Sequence, residues 1–168
     1  AGTGRSYTAR EAARTAPFWM LVVTGVVMSV AFYILIAHTV DCAEGLGLSK
    51  DAASLILTVS GLGSLVGTLA AAALVKLLSG RWALCALLVV QAVFTLLFMS
   101  TTEAWSFYLV SGVVGFCYGA AIPVRMAMVP PLFGIKAGGA ILGWATLAWA
   151  AGGVAGPYLT GYIYDATQ

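Results

Sequence analysis

Charge is what this chain has least of. Lysine, arginine, aspartate and glutamate make up 8% of its 168 residues, against roughly 25% in an ordinary soluble domain. Acids are the scarcer kind, and none of the six lies inside a long apolar run. The apolar stretches therefore hold no carboxylate suited to relaying a coupling proton. There is one histidine, His38, and no cluster with metal-ligand spacing. Acid-base and metal-assisted hydrolysis both lack their parts, so no enzyme, metal or cofactor is expected. Three cysteines, Cys42, Cys85 and Cys117, are an odd count without ligand spacing and read as free thiols. A net charge of +2 with no basic tract excludes a nucleic-acid partner.

What is abundant is hydrocarbon, at 61% hydrophobic residues. It gathers in five blocks, residues 18–37, 53–77, 82–99, 105–129 and 138–164, each near the roughly 20 helical residues that cross a bilayer core. The blocks are continuous and do not alternate in polarity, which excludes barrel strands and leaves helices. The predicted fold is an all-α transmembrane bundle of five spans (18–168), entered through a cytoplasmic segment (1–17), with the lipid bilayer as its solvent. Arg5, Arg10 and Arg14 before the first block resemble a signal peptide. The run that follows is longer than the usual 7 to 15 residues, roughly, and has no small-residue cleavage site.

Assigning alternate loops to opposite sides sorts the charges. One side receives Arg5, Arg10, Arg14, Lys76, Arg81 and Lys136 with Glu11; the other receives Asp41, Glu44, Asp51, Glu103 and Asp165 with Lys50. The first side is expected to be cytoplasmic, which puts the amino terminus inside. Five spans leave the ends on opposite faces, the chain does not start with methionine, and it stops soon after the fifth block. A piece of a longer polypeptide is expected.

Glycines four apart recur at Gly63 and Gly67, Gly115 and Gly119, Gly139 and Gly143, and Gly152 and Gly156. Such spacing lets helices approach closely in lipid, and one pair is open to a hinge role. Pro123 and Pro157 lie inside spans, where each removes a backbone hydrogen bond and favours a kink that neighbours or a wet cavity must satisfy.

Arg125 is placed within a block, whereas Lys76 stands at the very edge of its own. A central arginine costs about 2.5–3.5 kcal/mol to insert, which the apolar residues of its own helix offset at about 0.3–0.6 kcal/mol each. Ser111, Tyr118 and Arg125 are seven apart and share a helix face, the candidate lining of a cavity where the guanidinium fork suits a carboxylate or phosphate. The alternative stays open: with Pro130 and Pro131 marking the helix end about one turn away, Arg125 snorkels to the interface or holds a structural contact. Ser29 and Tyr33 on the first helix, four apart, are further candidates for the interior. Ser60, Ser64 and Thr68 form a similar stripe that reads more readily as interhelical hydrogen bonding. His38 is placed at the outer end of its helix, and Trp144 and Trp149 read as packing or belt residues.

Two ordered stretches, "GFCYGAAIPVRMAMVPPLFGIKAGGAILGW" and "GGVAGPYLTGYIYDAT", resemble the tenth and eleventh helices of bacterial major facilitator superfamily transporters, in the group of oxalate/formate antiporter-like and monocarboxylate transporter-like members. The matching positions include Gly115, Gly119, Pro123, Arg125, Phe133, Gly134, Gly139, Gly143, Gly156, Pro157, Gly161 and Asp165, and "TAPFWMLVV" is similar to the start of the seventh helix. The resemblance implies helices seven to eleven of a transporter in a bacterial inner membrane, lacking the amino-terminal half and the final helix. It also implies that the first and fourth spans line the central cavity. Two departures stand out. Lys76 and Arg81 occupy the loop region where a Gly-, Asp- and Arg-rich gating motif is common, and the membrane portions of the second and fifth spans have no cation of the kind oxalate-type members carry.

The expected function is secondary active transport of a small organic anion, a carboxylate first of all, by alternating access, with Arg125, Tyr118, Ser111, Tyr33 and Ser29 as substrate contacts. Gly115, Gly119, Pro123, Gly139, Gly143, Gly156 and Pro157 serve packing or hinge motion. The competing readings are a noncatalytic membrane subunit or assembly partner, and a transporter of a neutral or hydrophobic solute.

Overall fold

The structure is a computed structural model that describes residues 7–98, 100, 103–135 and 138–167, the side chains of 163–165 and 167 aside. Arg5 and Lys136, which entered the charge count, and Met99, the end of the third expected span, lie outside the described residues. Five helices follow one another: α1 (Ala9–Ala12), α2 (Ala16–Gly45), α3 (Lys50–Phe98), α4 (Ala104–Phe133) and α5 (Gly138–Thr167). The short α1 closes on a capping box, in which Thr8 and Glu11 satisfy each other's backbone amides. α2 follows at once and accepts Pro17 in its first turn, where a missing N–H costs nothing.

Four helices are long and apolar enough to cross a membrane, and the second of them holds two of the expected spans. α3 is broken at Ser79, where φ is 60° and ψ is 156°. Its two legs run in opposite directions along α4. In the first, Ser60 meets Gly115 and Ser64 meets Gly119, so both chains advance together; in the second, Gly80 meets Met128 and Phe98 meets Phe107. The chain therefore reverses at Ser79 and makes five passes, with the break where the sequence places a loop.

α4 is the axis of the bundle: 61% of its most apolar stretch is buried, against 11% for α5. Its contact with the first leg of α3 is made backbone to backbone. A Cβ built at Gly63, Gly67, Gly115 or Gly119 would stand 2.0–2.2 Å from a carbonyl oxygen of the facing helix. Any side chain there forces the helices apart, which is the physical content of the four-residue spacing in this pair. The same contact repairs Pro123. The missing N–H of Pro123 deprives the Gly119 carbonyl of its helical donor, and the Thr68 hydroxyl lies 3.1 Å from that oxygen while sharing its proton with Ser64 O at 2.9 Å.

Gly152 and Gly156 do the corresponding work between α5 and α2, against the backbone of Val26 and Val30. Gly139 and Gly143 do not: a Cβ at either meets nothing within 4 Å. Repeated spacing alone did not separate glycines that touch a neighbour from glycines on an open face.

Two boundaries differ from expectation. α4 continues through Pro130 and Pro131 to Phe133, where Gly134, at φ 79°, turns the chain out and donates to Pro130 O. Proline lacks a donor but not a helical φ, and the last turns of a helix tolerate that loss when the carbonyls face outward. Arg125 is thus eight residues from the helix end, about 12 Å at 1.5 Å per residue, and not one turn. α2 likewise extends to Gly45, so His38 lies two turns inside the helix, half-buried, and is not an end residue.

Tyr7 N–H donates to Phe133 O at 2.9 Å and ties the segment before α1 to the end of α4. Among the described residues, that end of the bundle carries Arg10, Arg14, Lys76 and Arg81 with Glu11. The opposite end carries Asp41, Glu44, Asp51 and Glu103 with Lys50.

Gly119→Ala is expected to lower the stability of the purified protein by about 1–3 kcal/mol through overpacking, while Gly143→Ala stays within about 0.5 kcal/mol of the parent. Thermal unfolding in detergent measures both.

Candidate functional site

Side chains of a helix lean toward its amino terminus. For Arg125 this means away from the Phe133 end and into the bundle. Its Nε donates to Ala121 O, one turn back, at 3.3 Å. The guanidinium carbon stands 4.7 Å from the centroid of the Trp149 ring on α5. From α2 the contact is Gly25, where a Cβ would fall 1.9 Å from Nη1 and 3.2 Å from Cζ. The space a side chain at position 25 would fill is the space the guanidinium occupies.

Arg125 is 9% exposed, so the charge is enclosed and does not reach the helix end. Among the described residues no carboxylate pairs with it, since the described acids sit at the two ends of the bundle. Burying a cation without a counter-ion costs several kcal/mol. Against that, a partly desolvated cation–π contact returns about 0.5–2 kcal/mol, and a charged hydrogen bond about 1.5–3. The guanidinium has five N–H donors, and its two Nη groups make no hydrogen bond to the described residues. The site is compensated in part and still presents donors.

Beside it lies a cavity of about 70 Å³ between α2, α4 and α5, bordered by Phe18, Leu21, Ile122, Met126 and Ile141, with Thr146 and Trp149 as its other polar lining. A single water needs about 10–15 Å³ of such volume, so a few waters or a small solute fit. Deeper along α4, Tyr118 stacks on Phe32 with ring centroids 3.8 Å apart and planes 7° from parallel. It meets Tyr33 edge-on at 6.0 Å and Trp149 at 5.4 Å. Ser29 donates to the Trp149 backbone oxygen at 2.9 Å, and Gly153 lets α5 close on the Tyr33 ring and the Ser29 hydroxyl.

Three of the five residues expected to contact substrate therefore meet Trp149, namely Arg125, Tyr118 and Ser29, and Tyr33 joins them through the Tyr118 ring. The Ser29 hydroxyl is spent on the interhelical bond. Ser111 stands apart, about 10 Å from Tyr118 along the helix, fully buried with its hydroxyl unpartnered among the described residues. Sequence reasoning gave Trp149 a packing or belt role, with substrate stacking as the alternative, and gave Gly25 and Phe32 none. A usable signal existed on α2, where Gly25, Ser29 and Tyr33 follow one another at four-residue spacing and so share a face.

The profile described as Major Facilitator Superfamily matches residues 18–168. No curated protein matches the chain.

Gly25→Ala is expected to displace the Arg125 guanidinium into the cavity. Peptide mapping after treatment with an arginine-selective dicarbonyl should then show several-fold more modification at Arg125 than in the parent, with Arg10 and Arg81 unchanged. Equal modification would mean that position 25 does not seat the guanidinium.

Proposed function

Because the chain belongs to the Major Facilitator Superfamily, a family of membrane transporters, we propose that it forms one wall of a secondary transporter's central cavity and moves a small organic anion, a short monocarboxylate first of all. The observation that carries this reading is a buried arginine without a carboxylate partner among the described residues, beside a small cavity. A solute carboxylate supplies the missing counter-charge, and the two Nη groups present parallel donors that match its two oxygens. The Trp149 Nε1–H, buried and without an acceptor among the described residues, supports the same reading. The rest of the lining is hydrocarbon, which suits the apolar body of a monocarboxylate better than a second charged group.

In this reading the end bearing Arg10, Arg14, Lys76 and Arg81 faces the cytoplasm of a bacterial inner membrane. A second set of helices completes the cavity, and rocking of the two sets exposes it to each side in turn. Substrate entry trades cavity water and part of the Trp149 contact for a charge-assisted pair. Tyr118 and Phe32, locked by stacking, hold the aromatic wall in place while this occurs.

The apolar lining also favours a second reading, a neutral or hydrophobic solute, with Arg125 as a fixed structural cation. The two separate in uptake assays on the complete transporter. The anion reading expects Arg125→Gln to reduce carboxylate uptake at least about 100-fold, the loss of one buried charge-assisted pair, at unchanged membrane level, and Arg125→Lys to retain a fraction of it. Unchanged uptake in Arg125→Gln removes Arg125 from the substrate site.

A further inference from the structure

A second cavity, of about 540 Å³, opens where α1, α2 and α5 meet at the basic end of the bundle. Arg10 stands at its rim, and Trp19 and Trp144 form its walls above Val22 and Ala148. Both tryptophans are more than half exposed, at 55% and 62%. Trp19 is held upright by a hydrogen bond from Nε1 to Ala13 O at 2.8 Å, which fixes one wall. The order along the groove is a cation, then two indoles, then aliphatic carbon, and it reproduces within one turn of helix the change from headgroup to acyl region.

Arg10 has no ion-pair partner among the described residues. The adjacent acid, Glu11, is directed to Thr8, with its carboxylate 2.8 Å from the backbone nitrogen and 2.9 Å from the hydroxyl. Arg14 lies one turn further on, also exposed. The groove is thus apolar along its length and cationic at one end.

We propose that this groove binds one anionic phospholipid, its phosphodiester at Arg10 and one acyl chain between Trp19 and Trp144. A free phosphate compound satisfies the cation but leaves the indole-walled channel empty, and a neutral lipid fills the channel but leaves the cation unanswered. The anionic lipid meets both. The contact ties α1 to α2 and α5, two of the helices that border the Arg125 cavity, and shares Phe18 with that cavity's lining.

The test is tryptophan quenching in nanodiscs that hold the full chain, with acyl-brominated phosphatidylglycerol or acyl-brominated phosphatidylcholine at equal mole fraction. Phosphatidylglycerol is expected to occupy the site about fivefold better, the ratio that a contact of about 1 kcal/mol per basic residue gives. The excess quenching should vanish in Arg10→Gln, return in Arg10→Lys, and be largely lost in Trp144→Phe. Equal quenching by the two lipids, or an excess that persists in Arg10→Gln, overturns the proposal. So does displacement of the lipid by millimolar glycerol 3-phosphate, which would mark a free-phosphate site. If neither lipid quenches the emission that Trp144→Phe removes, another helix covers the groove and the lipid assignment fails.

Discussion

The guanidinium of Arg125 rests on a position that has no side chain. Gly25 on α2 leaves the space, Trp149 on α5 supplies an aromatic face, and Ala121 O holds Nε. Three helices therefore meet at one charge, and each contributes something different: room, polarisable surface and a hydrogen bond. The arrangement is costly in lipid and is offset only in part by its protein contacts. Here the imbalance falls on a full charge, which sets the site apart from the neutral polar groups of the bundle. Thr68, Ser29 and Gln91, for example, each donate to a backbone carbonyl.

Holding a charge in this way requires a frame that does not relax around it. The pairing of α3 with α4 provides that frame, because two backbones in contact through glycine have no side chains to re-pack. Pro123 lies within this contact, two residues before Arg125, and its orphaned carbonyl at Gly119 is answered by Thr68 from the facing helix. The helix that bears the charge is thus fixed at its weakest hydrogen bond. α5, by contrast, lies mostly open, with Gly139 and Gly143 against nothing among the described residues.

Hydrophobic blocks made the five passes legible, because crossing hydrocarbon demands length and continuity that sequence displays directly. The basic and acidic ends were legible for the same reason, as was the shared face of Tyr118 and Arg125. Helix ends were less so. Pro130 and Pro131 read as a stop because proline breaks helices in general, yet proline keeps a helical φ, the carbonyls it orphans belong to the exposed Met126 and Ala127, and α4 runs on to Phe133. That difference moves Arg125 from one turn to about 12 Å from the helix end, and the amino-terminal lean of its side chain adds to its depth. Gly25 escaped notice, and Trp149 was read as packing or belt, because their importance is a matter of which helices become neighbours. No periodicity within one helix encodes that.

A transporter of the Major Facilitator Superfamily needs a site that is attractive but incompletely satisfied, so that solute can both enter and leave. A cation with two unengaged Nη groups, leaning on an indole beside a small cavity, has that character. The most direct measurement is a solid-state NMR dipolar contact between the carboxyl carbon of a ¹³C-labelled short monocarboxylate and ¹⁵N-labelled arginine, in membranes containing the complete transporter. A dephasing signal that places the carboxylate within hydrogen-bond reach of a guanidinium, and that disappears in Arg125→Lys, is the predicted result. Bound carboxylate with no contact to an arginine nitrogen, or a contact that survives in Arg125→Lys, would contradict the account.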